Sequence, residues 1–227
     1  LISPGIEWGF LLMQAIFFED FKNSYIPNIL DEIYLKKVYA SYFEGKKDLT
    51  IIDCGANIGL FSLYAYDFAK KIYAIEPSEQ HVRVLKRMID FNKLADKVVV
   101  CQNAIFYEDK NMVLGHNQNT TMFSLNKNVM DKSLPTENVK AVTMETFFKE
   151  NDINHVDFLK LDIEGAECEV VGGKGFENVA DRIDAMVVEW HAWSGRNPSQ
   201  LATTLEDYGF TVTALKADAT LIGAVRK

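Results

Sequence analysis

Residues 51–59 read Ile51-Ile52-Asp53-Cys54-Gly55-Ala56-Asn57-Ile58-Gly59, an apolar run entering a tight glycine loop with an acid at its mouth. Seventeen residues beyond Gly59 a second acid, Glu76, ends another apolar run, Lys71-Ile72-Tyr73-Ala74-Ile75. A glycine loop lets backbone approach a ligand closely, and an acid at the tip of the next strand can accept both hydroxyls of a ribose. The pairing implies a nucleoside held at the edge of a parallel sheet. A dinucleotide fingerprint in this register needs glycines at 55, 57 and 60. The chain has Gly55, Asn57 and Leu60 there, with its last glycine at 59. This compact spacing behind a carboxylate suits a cationic, phosphate-free nucleoside better than a pyrophosphate. S-adenosylmethionine is therefore expected over NAD.

From residue 49 onward, short apolar runs alternate with helical patterns, the signature of a parallel sheet covered on both faces. Strands are expected at Leu49–Asp53, up to Glu76, at Val98–Gln102, Val156–Asp162 and Ala185–Glu189, with a late pair at Phe210–Leu215 and Leu221–Val225. Helices are expected from about Gly59 to Ala69, after Pro77-Ser78 with Val82, Leu85, Met88 and Ile89 inward, over Thr143–Glu150, from Gly165-Ala166 to Gly172-Gly173, and over Ser199–Tyr208. The polar stretch around Gly115–Thr121 reads as irregular strands and a loop over the sheet's C-terminal edge. Residues 1–48 form a separate, partly helical extension rich in aromatics, among them Trp8, Phe10, Phe17, Phe18, Phe21, Tyr25, Tyr34, Tyr39, Tyr42 and Phe43. Such a stripe either packs on the sheet or walls a substrate pocket as a lid.

Composition narrows the partners. With 227 residues, 48% hydrophobic and 25% charged, the chain can bury a full core. A net charge of −8 without a Lys/Arg cluster argues against nucleic acid as the main partner. The longest apolar run, Trp8 to Phe18, is interrupted by Gln14 and is too short to span a bilayer. Cys54, Cys101 and Cys168 read as free thiols, so a reducing, cytoplasmic setting is expected.

Ligands of an open parallel sheet bind beyond the carboxyl ends of its strands. Asp53, Glu76, Asn103 and Asp162 all fall at such ends. In this reading Gly55, Ala56, Asn57 and Gly59 curl around the methionine part, and Asp53 meets its amino group directly or through water. Glu76 clasps the ribose, and Asn103 with Ala104 flanks the adenine. A second cluster lies in Asp157-Phe158-Leu159-Lys160-Leu161-Asp162-Ile163-Glu164-Gly165-Ala166-Glu167. Extended backbone would send Phe158, Lys160, Asp162 and Glu164 to one side. A lysine in a central strand needs a carboxylate nearby. It is either a structural ion pair or part of a cluster facing the sulfonium and the nucleophile. A third lies at Glu189-Trp190-His191-Ala192-Trp193, where His191 is placed as general base or as a hydrogen-bonding residue. His81, His116 and His155 read as surface or loop. Asp162, Glu164, Glu189 or His191 could ligate a metal, but the spacing fixes no coordination geometry and no metal is assigned. The position after strand four lacks the Pro-Pro-aromatic loop of N-methylating enzymes, so oxygen is the expected acceptor.

The strings Asp53–Gly59, Ile75-Glu76-Pro77 and Asp157–Glu167 resemble the FkbM family of S-adenosylmethionine-dependent methyltransferases over roughly residues 49–190, and Val139–Phe147 resembles its segment before strand four. The Lys-x-Asp-x-Glu-Gly-x-Glu string is the specific part. The resemblance implies a class I methyltransferase fold, Rossmann-like, with a seven-stranded mostly parallel sheet, helices on both faces and residues 1–48 appended as an extension or lid to a cofactor-binding domain at 49–227. It implies O-methylation of a hydroxyl on a sugar, polyketide or other small-molecule or glycan substrate. The family's loop falls on Asp53–Gly59, its ribose acid on Glu76 and its motif after strand four on Lys160, Asp162 and Glu164. Catalysis is expected from Lys160, Asp162, Glu164 and His191. The alternative is a non-catalytic module of the same fold that scaffolds a partner.

Overall fold

The computed structural model describes residues 26–116, 123–124, 136–215 and 220–227. The expected aromatics Trp8 to Tyr25 and the loop at 117–121 lie outside the described residues. Seven strands form one sheet: β1 (Leu49–Cys54), β2 (Ala69–Ile75), β3 (Val98–Cys101), β8 (Phe158–Leu161), β9 (Ala185–Glu189), β10 (Phe210–Ala214) and β11 (Leu221–Arg226). Their order is β10-β11-β9-β8-β1-β2-β3, parallel throughout except β11, which runs against β9 and β10. This is the expected mostly parallel, seven-stranded arrangement. The order reverses between β1 and β8, opening a crevice at their C-terminal ends.

Alternation along the strands sorts the core into two layers. Ile51, Phe158 and Val187 face one side, packing with Leu60, Leu85 and Met88. Ile52, Leu159 and Val188 face the other, packing with Phe147, Val170, Phe176 and Leu205. Both faces of a buried parallel strand are apolar for this reason.

Several boundaries differ from expectation. The first helix spans only Leu60–Ala65 and tightens into a 3-10 turn at Tyr66–Phe68, because Ala69 already pairs with Leu49 in the sheet. The helix expected up to Gly172-Gly173 is two helices, Glu167–Val171 and Lys174–Ala180. Gly173, in extended backbone, caps the second. The polar stretch after β3 is more regular than expected. It forms a separate sheet of β4 (Ala104–Ile105), β5 (Lys110–His116), β6 (Phe123–Ser124) and β7 (Thr136–Val142), in the order β4-β7-β5-β6. Glu137 of β7 ties this sheet to the N-terminus of the helix Glu79–Asn92, accepting from Glu79 N at 2.8 Å and Ser78 Oγ at 3.2 Å. His81 on that helix is buried, not at the surface, since it faces Glu76 across the first turn.

The N-terminal extension is helical at Ile26–Leu30, Asp31–Leu35 and Ala40–Phe43. It is anchored by rings: Phe43 lies 4.8 Å from Phe158, Tyr39 4.8 Å from Phe61 and Tyr42 5.2 Å from Phe158. Aromatic pairs at these separations add to their area burial. No helix among the described residues is long and apolar enough to cross a membrane.

Tyr42 also reaches along the same face of the sheet to β11, where a Cβ on Gly223 would sit 2.0 Å from its hydroxyl. Gly223→Ala is expected to destabilise by about 1–3 kcal/mol through overpacking. Adding Tyr42→Phe should return part of that loss in urea unfolding. A neutral single mutant, or a double mutant no better than the single, would contradict this contact.

Candidate functional site

The loop after β1 is shaped by three left-handed residues, Gly55 (φ 80°), Asn57 (φ 51°) and Gly59 (φ 92°). Gly55 has no substitute: a Cβ there would lie 1.7 Å from the Asp162 carbonyl oxygen. Gly55 N and Ala56 N each donate to the Ile75 carbonyl at 2.9 Å, so the loop folds across the end of β2. There it meets Glu76, whose Oε2 accepts from Asn57 N and Oε1 from Ser78 N, both at 2.9 Å. The carboxylate is buried and its orientation is fixed by backbone donors on both sides.

Asp53 and Lys160 are register partners in β1 and β8. Asp53 is fully buried. Its Oδ2 accepts from Ser62 Oγ at 2.7 Å and its Oδ1 lies 3.8 Å from Lys160 Nζ. Lys160 Nζ donates to Asp162 Oδ2 at 2.9 Å and to the Gly55 carbonyl at 3.4 Å. One ammonium thus joins the end of β1, the glycine loop and the end of β8. Burial works against this cation, but Asp162 and Asp53 hold its pKa well above the ordinary lysine value. Burial raises the Asp53 carboxyl, with Lys160 and Ser62 opposing. The Asp162 carboxyl is held below its usual value, because Lys160 and then His191 outweigh the cost of burial.

Beyond Asp162 the chain leaves the strand. Glu164 takes a left-handed conformation (φ 56°) and Gly165 follows at φ 100°, so Glu164 is not carried to one side by strand alternation. The turn is held by Glu167, fully buried at the start of the next helix. Its Oε1 accepts from Ile163 N at 3.1 Å and Gly165 N at 3.0 Å, and lies 2.9 Å from His191 Nδ1. The turn still delivers Glu164 to the site, where its Oε2 is 3.6 Å from His191 Nε2. Burial, then the charge of Asp162, pushes the Glu164 carboxyl up to about 8. The charge of Asp162, then burial, pushes Glu189 to about 7. Burial alone would lower His191; the hydrogen bond and charge of Glu167, with Asp162 and Glu164, raise it to about 10.

Two cavities open here. The smaller is lined by Gly55, Asn57, Glu76, Asn103, Ala104 and Asp162, with Pro77, His81, Ile105 and Leu114. The larger, about 410 Å³, has an apolar wall of Ile29, Ile33, Tyr39, Phe61 and Trp190 and a polar floor of Glu32, Lys160, Asp162, Glu164, Glu189 and His191. They share Gly55, Asn57, Asp162 and Glu164. Lys160, Asp162, Glu164 and His191 are therefore brought together. Ala56 lines only the larger cavity, while Asp53 and Gly59 line neither. Asp53 acts from behind the loop through Lys160, and Gly59 packs toward Met88 and Leu85. Sequence reasoning left out Glu167 as a site residue, although it closes the motif string, and Glu32 and Ile33, which no strand-end rule reaches. The side chain of Trp193 lies outside those described.

Residues 53–212 match the family model described as the Methyltransferase FkbM domain. Methyltransferase sdnD of Sordaria araneosa is 30% identical over 199 residues, covering 74% of this chain and 76% of that protein. Methyltransferase 1 of Beauveria bassiana (strain ARSEF 2860) is 28% identical over 207 residues, covering 82% of each. Among solved structures, Methyltransferase FkbM from Methylobacillus flagellatus KT has a TM-score of 0.54 at 14% identity, over 78% of this chain and 43% of that one. SMU.1697c from Streptococcus mutans, in complex with SAH, has a TM-score of 0.55 at 8% identity, over 85% and 97%. These structures share the fold. With the glycine loop, the strand-end acids and the motif after β8 in place, the chain belongs to the FkbM family of methyltransferases.

Proposed function

We propose that the chain is an S-adenosylmethionine-dependent O-methyltransferase acting on a hydroxyl of a small molecule, of sugar or polyketide type. The observation that carries this reading is the meeting of the two cavities at Gly55, Asn57, Asp162 and Glu164. One cavity suits a nucleoside and the other an apolar acceptor, so donor and acceptor would face each other over Asp162 and Glu164.

The residues of the smaller cavity fit the cofactor. Each oxygen of Glu76 spends one lone pair on a backbone N–H, and Oε1 also has His81 Nδ1 at 3.5 Å, so Oε2 keeps the more open acceptor site for a ribose hydroxyl. Ile105 and Leu114 provide apolar surface for a flat ring, with Asn103 and Ala104 beside it. When bound, S-adenosylmethionine supplies a methyl group already activated for displacement. The chain must then align the acceptor, exclude water and receive the hydroxyl proton. Ile29, Ile33, Tyr39, Phe61 and Trp190 exclude water from the larger cavity, with residues 26–35 serving as its lid. Lys160 keeps Asp162 ionised at the junction, against the cationic end of the cofactor. Glu189, at the end of β9 and on the acceptor side, takes the hydroxyl proton. Glu164 and His191 orient the acceptor oxygen beside it.

The wild-type protein should gain heat stability with S-adenosylmethionine or S-adenosylhomocysteine. Glu76→Ala should weaken cofactor binding at least about tenfold by calorimetry, from the loss of charge-assisted hydrogen bonds. No stabilisation by either nucleoside would remove the foundation of this reading. Turnover is sought in a panel of hydroxylated acceptors, read as S-adenosylhomocysteine release. With any acceptor that turns over, Glu189→Gln should lower kcat by roughly 100-fold, the usual scale for a general base, and leave cofactor affinity within about twofold. Full activity in Glu189→Gln would assign the proton elsewhere.

A further inference from the structure

We propose that Asp162, Glu164 and His191 form a site for one divalent cation at the junction of the two cavities. One oxygen of each carboxylate and one ring nitrogen lie within 4.8 Å of one another. His191 Nε2 is 3.9 Å from Asp162 Oδ1 and 3.6 Å from Glu164 Oε2. Both separations exceed a hydrogen bond. With bonds of about 2.0–2.2 Å, an ion sets neighbouring ligand atoms roughly 3.0–3.6 Å apart; the Glu164 separation falls at the upper edge of that range and the Asp162 separation just beyond it.

A second observation comes from outside the three ligands. Glu167, held by the Ile163 and Gly165 amides, lies 2.9 Å from Nδ1 of His191. An ion binding here would displace the Nε2 proton, leaving Nδ1–H to Glu167 and turning the Nε2 lone pair toward Asp162 and Glu164. A carboxylate behind the far nitrogen is the arrangement that orients a metal-bound imidazole. Glu167 is fully buried, and its Oε2 has no hydrogen-bond partner among the described residues.

Access is provided. Asp162 and Glu164 border both cavities and His191 borders the larger. An ion here would turn its remaining positions toward the larger cavity, where they would take oxygen ligands. Two carboxylates and one imidazole suit Mn²⁺ or a similar oxygen-preferring ion. Occupancy rests on this geometry alone. Use of the ion to draw in the acceptor's hydroxyl rests on the reading of the preceding subsection, in which Glu189 would remain to receive the proton.

The probe is Mn²⁺, titrated into chelator-stripped protein and followed by electron paramagnetic resonance. One saturable Mn²⁺ per chain is expected, bound at least about tenfold more weakly in Glu164→Gln, as loss of a ligand requires. Asp184→Asn should bind as the wild type does; it alters the exposed His155–Asp157–Asp184 group at the other end of the sheet. Spin-echo modulation on the wild type should show coupling to an imidazole nitrogen, a readout that needs no variant to fold. Three results would overturn the site: no saturable binding at millimolar Mn²⁺, bound Mn²⁺ without nitrogen coupling, or affinity lost in Asp184→Asn and kept in Glu164→Gln. Heat stability with S-adenosylhomocysteine, measured on the same sample, tests the methyltransferase reading separately.

Discussion

A single buried ammonium sets the geometry of the crevice. Lys160 reaches Asp162 and the Gly55 carbonyl, with Asp53 behind it, and so ties the ends of two central strands to the glycine loop. Burying such a charge alone costs several kcal/mol, and stripping a partner from a buried pair typically costs about 3–5 kcal/mol. The three groups therefore depend on each other, and the fold cannot relax one without exposing another. The pairing follows from register, since Asp53 and Lys160 are opposed across β1 and β8. The topological reversal that opens the crevice and the ion pair that holds it thus come from the same strand pair.

Around this pair the site is fixed from behind. Glu76 takes its orientation from the Asn57 and Ser78 amides, and the turn carrying Glu164 takes its shape from Glu167. Backbone donors lose little freedom when they bind a carboxylate, so the acids face the cavities already ordered. The same arrangement gathers carboxyl groups at the junction. Under the proposed function, a cationic donor would lie against them on one side, with a proton or an ion beside His191 on the other.

The parts of the molecule legible in the sequence were those governed by local rules. Alternating apolar runs gave the strands to within a residue or two, and Ser78 and the face of Val82, Leu85, Met88 and Ile89 gave the long helix. The strand-end rule placed Glu76, Asn103 and Asp162 around one cavity. What escaped depends on distant partners. The first helix is cut short because sheet pairing claims Ala69. The sheet of β4 to β7 has no apolar alternation strong enough to be read in a polar stretch. His81 is inside because it meets Glu76, which no spacing reveals. Glu164 borders both cavities by way of a left-handed turn and not by strand alternation, which no local rule in the sequence signals.

The N-terminal extension divides its work between anchoring and exposure. Tyr39, Tyr42 and Phe43 pack on Phe61 and Phe158, while Ile29, Glu32 and Ile33 face the larger cavity. The anchor rings rest on the outer face of the strand that carries Lys160, so the wall is registered to the reacting end through Phe158. Residues of the smaller cavity come from strand ends and backbone amides, whose positions the sheet dictates. Residues of this wall of the larger cavity come from a segment outside the sheet. Ile29 and Glu32 set the size and charge of the larger cavity, while the hydrogen bonds described for Lys160 and Glu76 are made by other residues. Under the proposed function, chemistry and acceptor choice are thereby held by different parts of the chain, coupled in part through the aromatic contact on β8.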